Sequence, residues 1–338
     1  MTNRWARSGT GAVRSAIALC ALLSGAPLGA EAQPAAKVYR IGVLDGAELA
    51  SSQANLDAFR QGLRDLGRIE GQHYVIEYRS AAGRADRFPD LATELVRLEV
   101  DVIVTRGTAA VLGARHATAT IPIVMASSGD PVFAGLVASR ARPGGNVTGL
   151  HLGVPPELAG TRLRLLKELI PRLSRVGVFM DSGDVYALLA MREIEKVAHA
   201  IGIQLHNVGA RRPVGLDRAF EAAVLDHGVD ALLVVEGPLT VADLPRIVGF
   251  AGASRLPAIY GLREFVDAGG LMAYGPDVRD LFRRSAEFVH RILAGARPAD
   301  LPVEAPAKLE LAINLKTARA LGLTIPPGLL HRADYIIQ

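Results

Sequence analysis

The sequence is nearly without cysteine. Its 338 residues hold one, Cys20, and that one lies in an N-terminal apolar stretch. A chain that sheds this stretch keeps no thiol, which excludes disulfides, a thiol nucleophile and a thiolate metal site together; stability in an oxidising compartment then rests on packing. The single tryptophan, Trp5, goes with the same segment. Missing too are stripes of Lys and Arg interleaved with aromatics, the footprint of nucleic-acid binding. The formal charge is +4, but Arg4, Arg7, Arg14 and Glu31 belong to the N-terminal segment, and without them 35 basic side chains face 33 acidic ones. No nucleic-acid partner is expected.

Signatures of bound cofactors are equally lacking. The eight histidines are scattered, with no His-x-x-x-His or His-Glu-x-x-His spacing to suggest zinc. No Gly-x-Ser-x-Gly elbow and no Gly-x-x-x-x-Gly-Lys-Ser/Thr phosphate loop occurs. Neither a metal nor a cofactor is expected.

What is present begins with a leader. Basic residues Arg4, Arg7 and Arg14 precede the apolar run from Ala16 to Leu28, and Ala30-Glu31-Ala32 forms a small-x-small cleavage site before Gln33. The run is shorter than the ~20 residues that cross a bilayer and contains Gly25 and Pro27. Ile17-Ala18-Leu19 before Cys20 lacks the small residue that a lipoprotein signal places directly before its cysteine. The expectation is a signal peptide over residues 1–32, cleaved near Ala32, and an exported, periplasmic protein with no direct membrane insertion afterwards.

With 50% apolar and 21% charged residues the remainder can build a large core. From Val38 onward, short β-branched runs alternate with amphipathic stretches, the pattern of parallel strands joined by crossover helices. Strands are expected at Val38–Leu44, Val75–Tyr78, Asp101–Thr105 and Ile121–Ala126. The helices between them comprise one carrying Leu56, Phe59, Leu63 and Leu66, with Gly67 at its C-terminal end, one over Asp90–Leu98, and one running through His116. Arg142-Pro143-Gly144-Gly145-Asn146 reads as a turn near a domain boundary. A second series follows, with helices at Pro156–Leu169, Tyr186–Ile201, Leu216–His227, Leu244–Ser254 and Val278–Ala294. Its strands are expected at Arg175–Met180, Gln204–Val208, Ala231–Glu236, Ala258–Tyr260 and Leu271–Tyr274; Leu309–Ile313 and Lys316–Leu321 close the chain as strand and helix.

In open parallel sheets, ligands bind beyond the carboxyl ends of the strands. Those ends here are small and polar: Thr105-Arg106-Gly107-Thr108, Ser127-Ser128-Gly129-Asp130, Asp181-Ser182-Gly183-Asp184 and Glu236-Gly237-Pro238. Glycines admit a ligand close to the backbone, hydroxyls donate or accept, and a carboxylate can hold an ammonium. Each loop taken alone is equally a helix-capping turn. For an amino-acid ligand the ammonium candidates are Asp130, Asp181 and Glu236, and the donors are Thr105, Thr108, Ser127, Ser128 and Ser182. Asp130, before Pro131, also fits a plain cap. Tyr186, Tyr260 and Tyr274 can stack on an aromatic ligand or simply fill the layer beneath the loops, a role expected for at least one of them. Glu264 opens a short helix before Gly269-Gly270 and can be structural there.

Several ordered words resemble a known family. They are Phe59-Arg60-Gln61-Gly62-Leu63 with Gly71-Gln72, Ile121-Pro122-Ile123-Val124 with Gly129-Asp130-Pro131-Val132, and Arg142-Pro143-Gly144-Gly145-Asn146-Val147-Thr148-Gly149. Further on come Arg263-Glu264-Phe265-Val266 with Ala268-Gly269-Gly270-Leu271-Met272, Tyr274-Gly275, and Ile313-Asn314-Leu315-Lys316-Thr317-Ala318 with Ala320-Leu321-Gly322-Leu323-Thr324-Ile325-Pro326. From about Val38 to the C-terminus the chain resembles the ABC-transporter substrate-binding proteins of the tryptophan/tyrosine-binding type. The resemblance implies α/β architecture of the periplasmic-binding-protein type I kind, two Rossmann-like three-layer lobes joined by a multi-segment hinge. The N-terminal lobe would be 38–150 plus 276–302 and the C-terminal lobe 151–275 plus 303–338. It further implies a small-molecule ligand trapped between the lobes by hinge closure, and an ABC permease in the inner membrane as partner. The resemblance implies a small polar, aromatic amino-acid-like ligand, but where the family commonly has an Asn-Pro-x-Asn-Pro-like loop this chain reads Asp181-Ser182-Gly183-Asp184-Val185-Tyr186, which leaves the ligand's identity open. Asp45-Gly46-Ala47-Glu48 is similarly individual and marks Asp45 as a candidate specificity residue.

Two other readings stand beside transport. A carboxylate-dependent periplasmic enzyme would pair groups such as Asp130 and Glu236, but the chain lacks a recognisable nucleophile, base or metal set. A sensor whose closed form docks on a membrane receptor has the same sequence features as an importer component.

Overall fold

A computed structural model describes residues 37–209, 220–221 and 228–338. The expected leader, with Cys20 and Trp5, and most of the helix expected over Leu216–His227 lie outside these. Val38–Gln338 hold together as one compact unit containing two sheets.

The first sheet has order β2-β1-β3-β4-β5 and is parallel throughout. Its strands are β1 (Tyr39–Asp45), β2 (Tyr74–Ser80), β3 (Val102–Arg106), β4 (Ile123–Ser127) and β5 (Val147–Gly149). Strands β3 and β4 are buried along their whole length, as a parallel sheet covered on both faces requires. The second sheet has order β12-β11-β10-β9-β8-β6-β7. It consists of β6 (Arg175–Phe179), β7 (Gln204–Asn207), β8 (Ala231–Val234), β9 (Ala258–Tyr260), β10 (Met272–Pro276), β11 (Leu309–Asn314) and β12 (Tyr335–Ile337). Its pairings are parallel except β10 with β11.

The helices cover these sheets by their apolar faces. In the first, α1 (Leu49–Asp65) buries Leu56, Phe59 and Leu63, then stops as expected: Gly67 takes φ 75°, and Arg68 N–H donates to Leu63 O at 2.9 Å. α2 (Phe88–Arg97) and α3 (Thr108–Ala117) complete its crossovers. In the second, α4 (Glu157–Leu169) packs along α5 (Val185–Ile201), which Asp184 caps by accepting from Tyr186 N–H and Gly202 ends in the left-handed region. Short helices α6 (Pro238–Ala242), α7 (Leu244–Ala253) and α8 (Arg263–Asp267) follow.

The chain passes between the sheets three times. β5 leads through residues 150–156 to α4. β10 leads into α9 (Val278–Leu293), which lies on α1 and β4 of the first sheet. There Gly62 is the point of closest approach, because a Cβ would meet the backbone of Arg283 and lie 2.8 Å from Ala286 Cβ. The third passage returns beside the first, where His151 N–H donates to Glu304 O at 3.0 Å, and ends in β11. α10 (Leu315–Ala320) and α11 (Pro327–Arg332) precede β12. An apolar cluster containing Ile41, Val104 and Phe59 continues to Val234, Tyr260 and Phe265, so the two sheets share packed material.

The expected element order holds with shifts of a residue or two. β5, which follows the turn expected at Arg142–Asn146, and β12 were not expected, and neither were the short helices α6 and α11; each of the two strands has three residues, too short for alternation to show. Among the described residues no helix is long and apolar enough to cross a membrane.

Candidate functional site

The polar strand ends of the first sheet centre on Arg106. It closes β3, and the pairing of β3 with β4 slips by one residue between Thr105 and Arg106, a distortion that re-aims a side chain. Its Nη1 donates to Ser52 Oγ at 3.2 Å and stands 3.8 Å from Asp45 Oδ1, and its Nη2 donates to Glu264 Oε1 at 2.9 Å. Asp45 is itself held by Ser52 Oγ at 2.6 Å and by Ala47 N–H at 2.9 Å. Burial works against a charged Arg106, yet the carboxylates of Asp45 and Glu264 hold its pKa above the ordinary value. Asn55 on α1 donates from Nδ2 to Glu264 Oε1 at 3.4 Å; Asn55 Oδ1 and Glu264 Oε2 are buried and accept nothing.

Because Glu264 rides on α8 of the second sheet, this pair joins the two sheets. It faces an open cleft of about 200 Å³. Ala47, Glu48 and Ala82 form the wall from the first sheet, and Val241, Leu244 and Pro245 the opposite one. The other side of Glu264 borders a small crevice lined also by Arg263, Asp267, Asp277 and Glu310. Burial, with Asp277 nearby, pushes the Glu310 carboxyl up to about 7 despite Arg263 Nη1 at 3.5 Å. Arg263 lies 3.4 Å over the ring of Tyr335.

The second sheet presents a different construction. Glu236, just beyond β8, is 4% exposed and receives Arg162 Nη2 on Oε1 at 2.9 Å, Nη1 on Oε2 and the Tyr186 hydroxyl on Oε1 at 2.9 Å. Arg162 is wholly buried on α4 and donates its Nε to Tyr274 O at 2.7 Å. Burial opposes its charge, but Glu236 and Tyr186 keep its pKa raised, while burial and Glu236 together raise that of Tyr186.

The remaining candidates divide by what they touch. Thr105 and Ser127 are buried; Ser128 Oγ turns onto Gly129 O at 2.9 Å. Gly107, at φ 86°, donates to Ser127 O, and Gly129 N–H donates to Thr108 Oγ1 at 3.1 Å, so the loops after β3 and β4 are tied into one rim. Asp130 is exposed, accepting from Val132 and Phe133 N–H and pairing with Arg140 at 2.6 Å, the plain capping role. Asp181 accepts from Gly183 N–H in a tight turn beside the exposed Ser182. Tyr260 is fully enclosed with its ring 4.7 Å from that of Phe265, the filler among the three tyrosines. Tyr274 remains half-buried.

Arg106 and Arg162 were not singled out from the sequence. Each left a signal: Arg106 ends an otherwise apolar strand, and Arg162 occupies a core-facing position among Leu158, Ala159, Leu163 and Leu166.

Two wound sheets, three passages between them and a polar-floored cleft define an α/β protein of the periplasmic-binding-protein type I fold. The chain belongs to the family described as ABC transporter substrate binding protein, whose pattern matches residues 40–337. It is 27% identical over 289 residues to a tyrosine-binding protein of Clostridioides difficile, covering 85% of this chain and 82% of that one. The crystal structure of an ABC domain in complex with L-Trp from Streptococcus pneumonia is 28% identical with a TM-score of 0.76, covering 89% of this chain and all of that one. A conserved domain protein from Vibrio cholerae matches with the same values. A leucine-binding protein, LivK, from Thermotoga maritima shares the fold at 13% identity and a TM-score of 0.53, over 75% of this chain and 83% of that one. Proteins of this family are extracytoplasmic, bind small ligands and work with ABC transporter components.

Proposed function

We propose that this chain captures an aromatic amino-acid-like solute in the periplasm and hands it to an ABC permease in the inner membrane, without covalent chemistry. The observation that carries the reading is the cleft itself: a largely apolar-walled space whose floor is a charged pair contributed by both sheets. The lobes would be 38–150 plus 276–302 and 151–275 plus 303–338, hinged at the three passages. Gly107, Thr108, Ser128 and Gly129 on one rim and Ser182 and Tyr274 on the other would close over the guest. The printed ligands of the two relatives, tyrosine and L-Trp, support an aromatic body.

A thermal-shift screen of amino acids, nucleosides and small organic acids tests this. An aromatic amino acid at 100 times its dissociation constant adds about 2.7 kcal/mol and raises the melting temperature. A screen in which only nucleosides or organic acids stabilise, or in which a compound is turned over, rejects the reading.

A further inference from the structure

Glu264 rides on α8 of the second sheet, but among the described residues both hydrogen bonds to its carboxylate come from the first. Arg106 Nη2 donates to Oε1 at 2.9 Å and Asn55 Nδ2 to the same oxygen at 3.4 Å. Every atom of this junction belongs to the protein, so its formation requires no guest. We propose that Arg106 and Glu264 form a latch, which holds the two sheets together without a ligand and admits a solute only in the fraction of molecules where it has let go; this rests on the hinged reading above.

Three observations carry it. First, the pair is enclosed, with the Arg106 side chain 9% and the Glu264 side chain 15% exposed, so water and salt screen it far less than a surface bridge. Second, it can part without stranding a buried charge. On release, Arg106 keeps Asp45 at 3.8 Å and Ser52 Oγ at 3.2 Å on its own sheet, while Glu264, in the cleft lining, passes to water. The Arg162–Glu236 pair has no such exit, because both members belong to the second sheet and both are buried. Third, the sheets approach again at Gly83 and Ala242, which line the same cleft. Gly83 N–H donates to Gly46 O at 2.8 Å on the first sheet, and a Cβ added at Gly83 would lie 3.6 Å from Ala242 Cβ at the end of α6. The ionic contact and this close approach therefore span one space from the same two sides. A latch that shuts the space slows entry by the fraction of molecules open and prolongs the stay of whatever has entered.

The test reads the approach of the sheets without any ligand. In a chain carrying Cys20→Ser, the changes Gly83→Cys and Ala242→Cys set two thiols with their Cβ atoms 3.6 Å apart, inside the ~3.5–4.5 Å span of a disulfide. Oxidised glutathione should join them readily. Adding Glu264→Ala should slow the joining about tenfold, and Glu264→Gln, which keeps the shape and a neutral acceptor, about threefold. Glu48→Gln, on the same cleft wall at an exposed cap position, should leave the rate unchanged. The strain of a side chain at Gly83, where φ is 76°, is common to all four proteins and cancels in the comparison. In stopped flow, L-tryptophan should associate with the Glu264→Gln protein about threefold faster than with the wild type and dissociate faster still. A carboxylate that only touched the ligand would change dissociation alone. Equal joining rates with and without Glu264, slowing by Glu48→Gln as large as that by Glu264→Gln, or an unchanged association rate overturns the latch. Should neither L-tryptophan nor L-tyrosine bind, the aromatic reading falls and the joining rates alone decide the latch.

Discussion

Arg162 and Glu236 meet entirely among the helices and strands of the second sheet, whereas Arg106 and Glu264 meet from one sheet to the other. The first pair is closed: both Glu236 oxygens are taken, Tyr186 adds a third donor, and the remaining Arg162 Nε reaches a backbone carbonyl. The second pair is unfinished, with one carboxylate oxygen and the neighbouring amide oxygen idle and a second carboxylate, Asp45, sharing the cation. A buried ion pair contributes little net stability unless every lone pair is met, and an unmet buried acceptor is costly. The same two residue types thus form a closed pair in one place and an unfinished one in the other.

The largest expected effect breaks the closed pair. Arg162→Ala leaves Glu236 charged and enclosed, and should cost about 3–5 kcal/mol in denaturant unfolding, while the double change Arg162→Met with Glu236→Leu recovers most of it. Glu264→Gln should cost far less, because Asp45 still neutralises Arg106. Equal losses for Arg162→Ala and Glu264→Gln would erase the distinction.

An intermediate effect concerns Glu310, on the far side of Glu264. Its folded-state pKa of about 7 lies above the ordinary 4.5, so the folded protein holds this proton more tightly than the unfolded chain. The cost of ionising it is absent below about pH 4.5, grows between there and about pH 7, and is complete above. Glu310→Gln should therefore raise the melting temperature by about 2–4 °C at pH 8 and leave it unchanged near pH 4.5. A gain of the same size at both pH values would contradict this.

The smallest effect is at Asp130. It caps a turn and pairs with Arg140 at the surface, so Asp130→Ala should cost about 0.5–1 kcal/mol and leave the affinity for every ligand alone. A tenfold loss of affinity would return Asp130 to the binding floor.

How far this was legible beforehand depends on range. The alternation of strands and helices, the capping of α1 by Gly67 and the polarity of the strand ends are local patterns and could be read along the chain. Asp45 and Glu264 were singled out, but their joint role was hidden, because the pairing of Arg106 with Glu264 spans residues far apart in sequence. Asp130 and Glu236 looked alike as acidic residues at strand ends. Only the partners Arg140 and Arg162 distinguish them, and nothing in the spacing of residues announces such long-range matches.

The closed pair also constrains its neighbours. A Cβ at Gly261 would strike the Glu236 carboxylate, and one at Gly275 would strike the carbonyl of Gly261 and crowd Arg162. Positions 162, 236, 261 and 275 are therefore expected to be inherited together: in descendants of this chain they drift as a block or stay put, and a lone side chain gained at either glycine marks a lineage that has already surrendered its interior arginine.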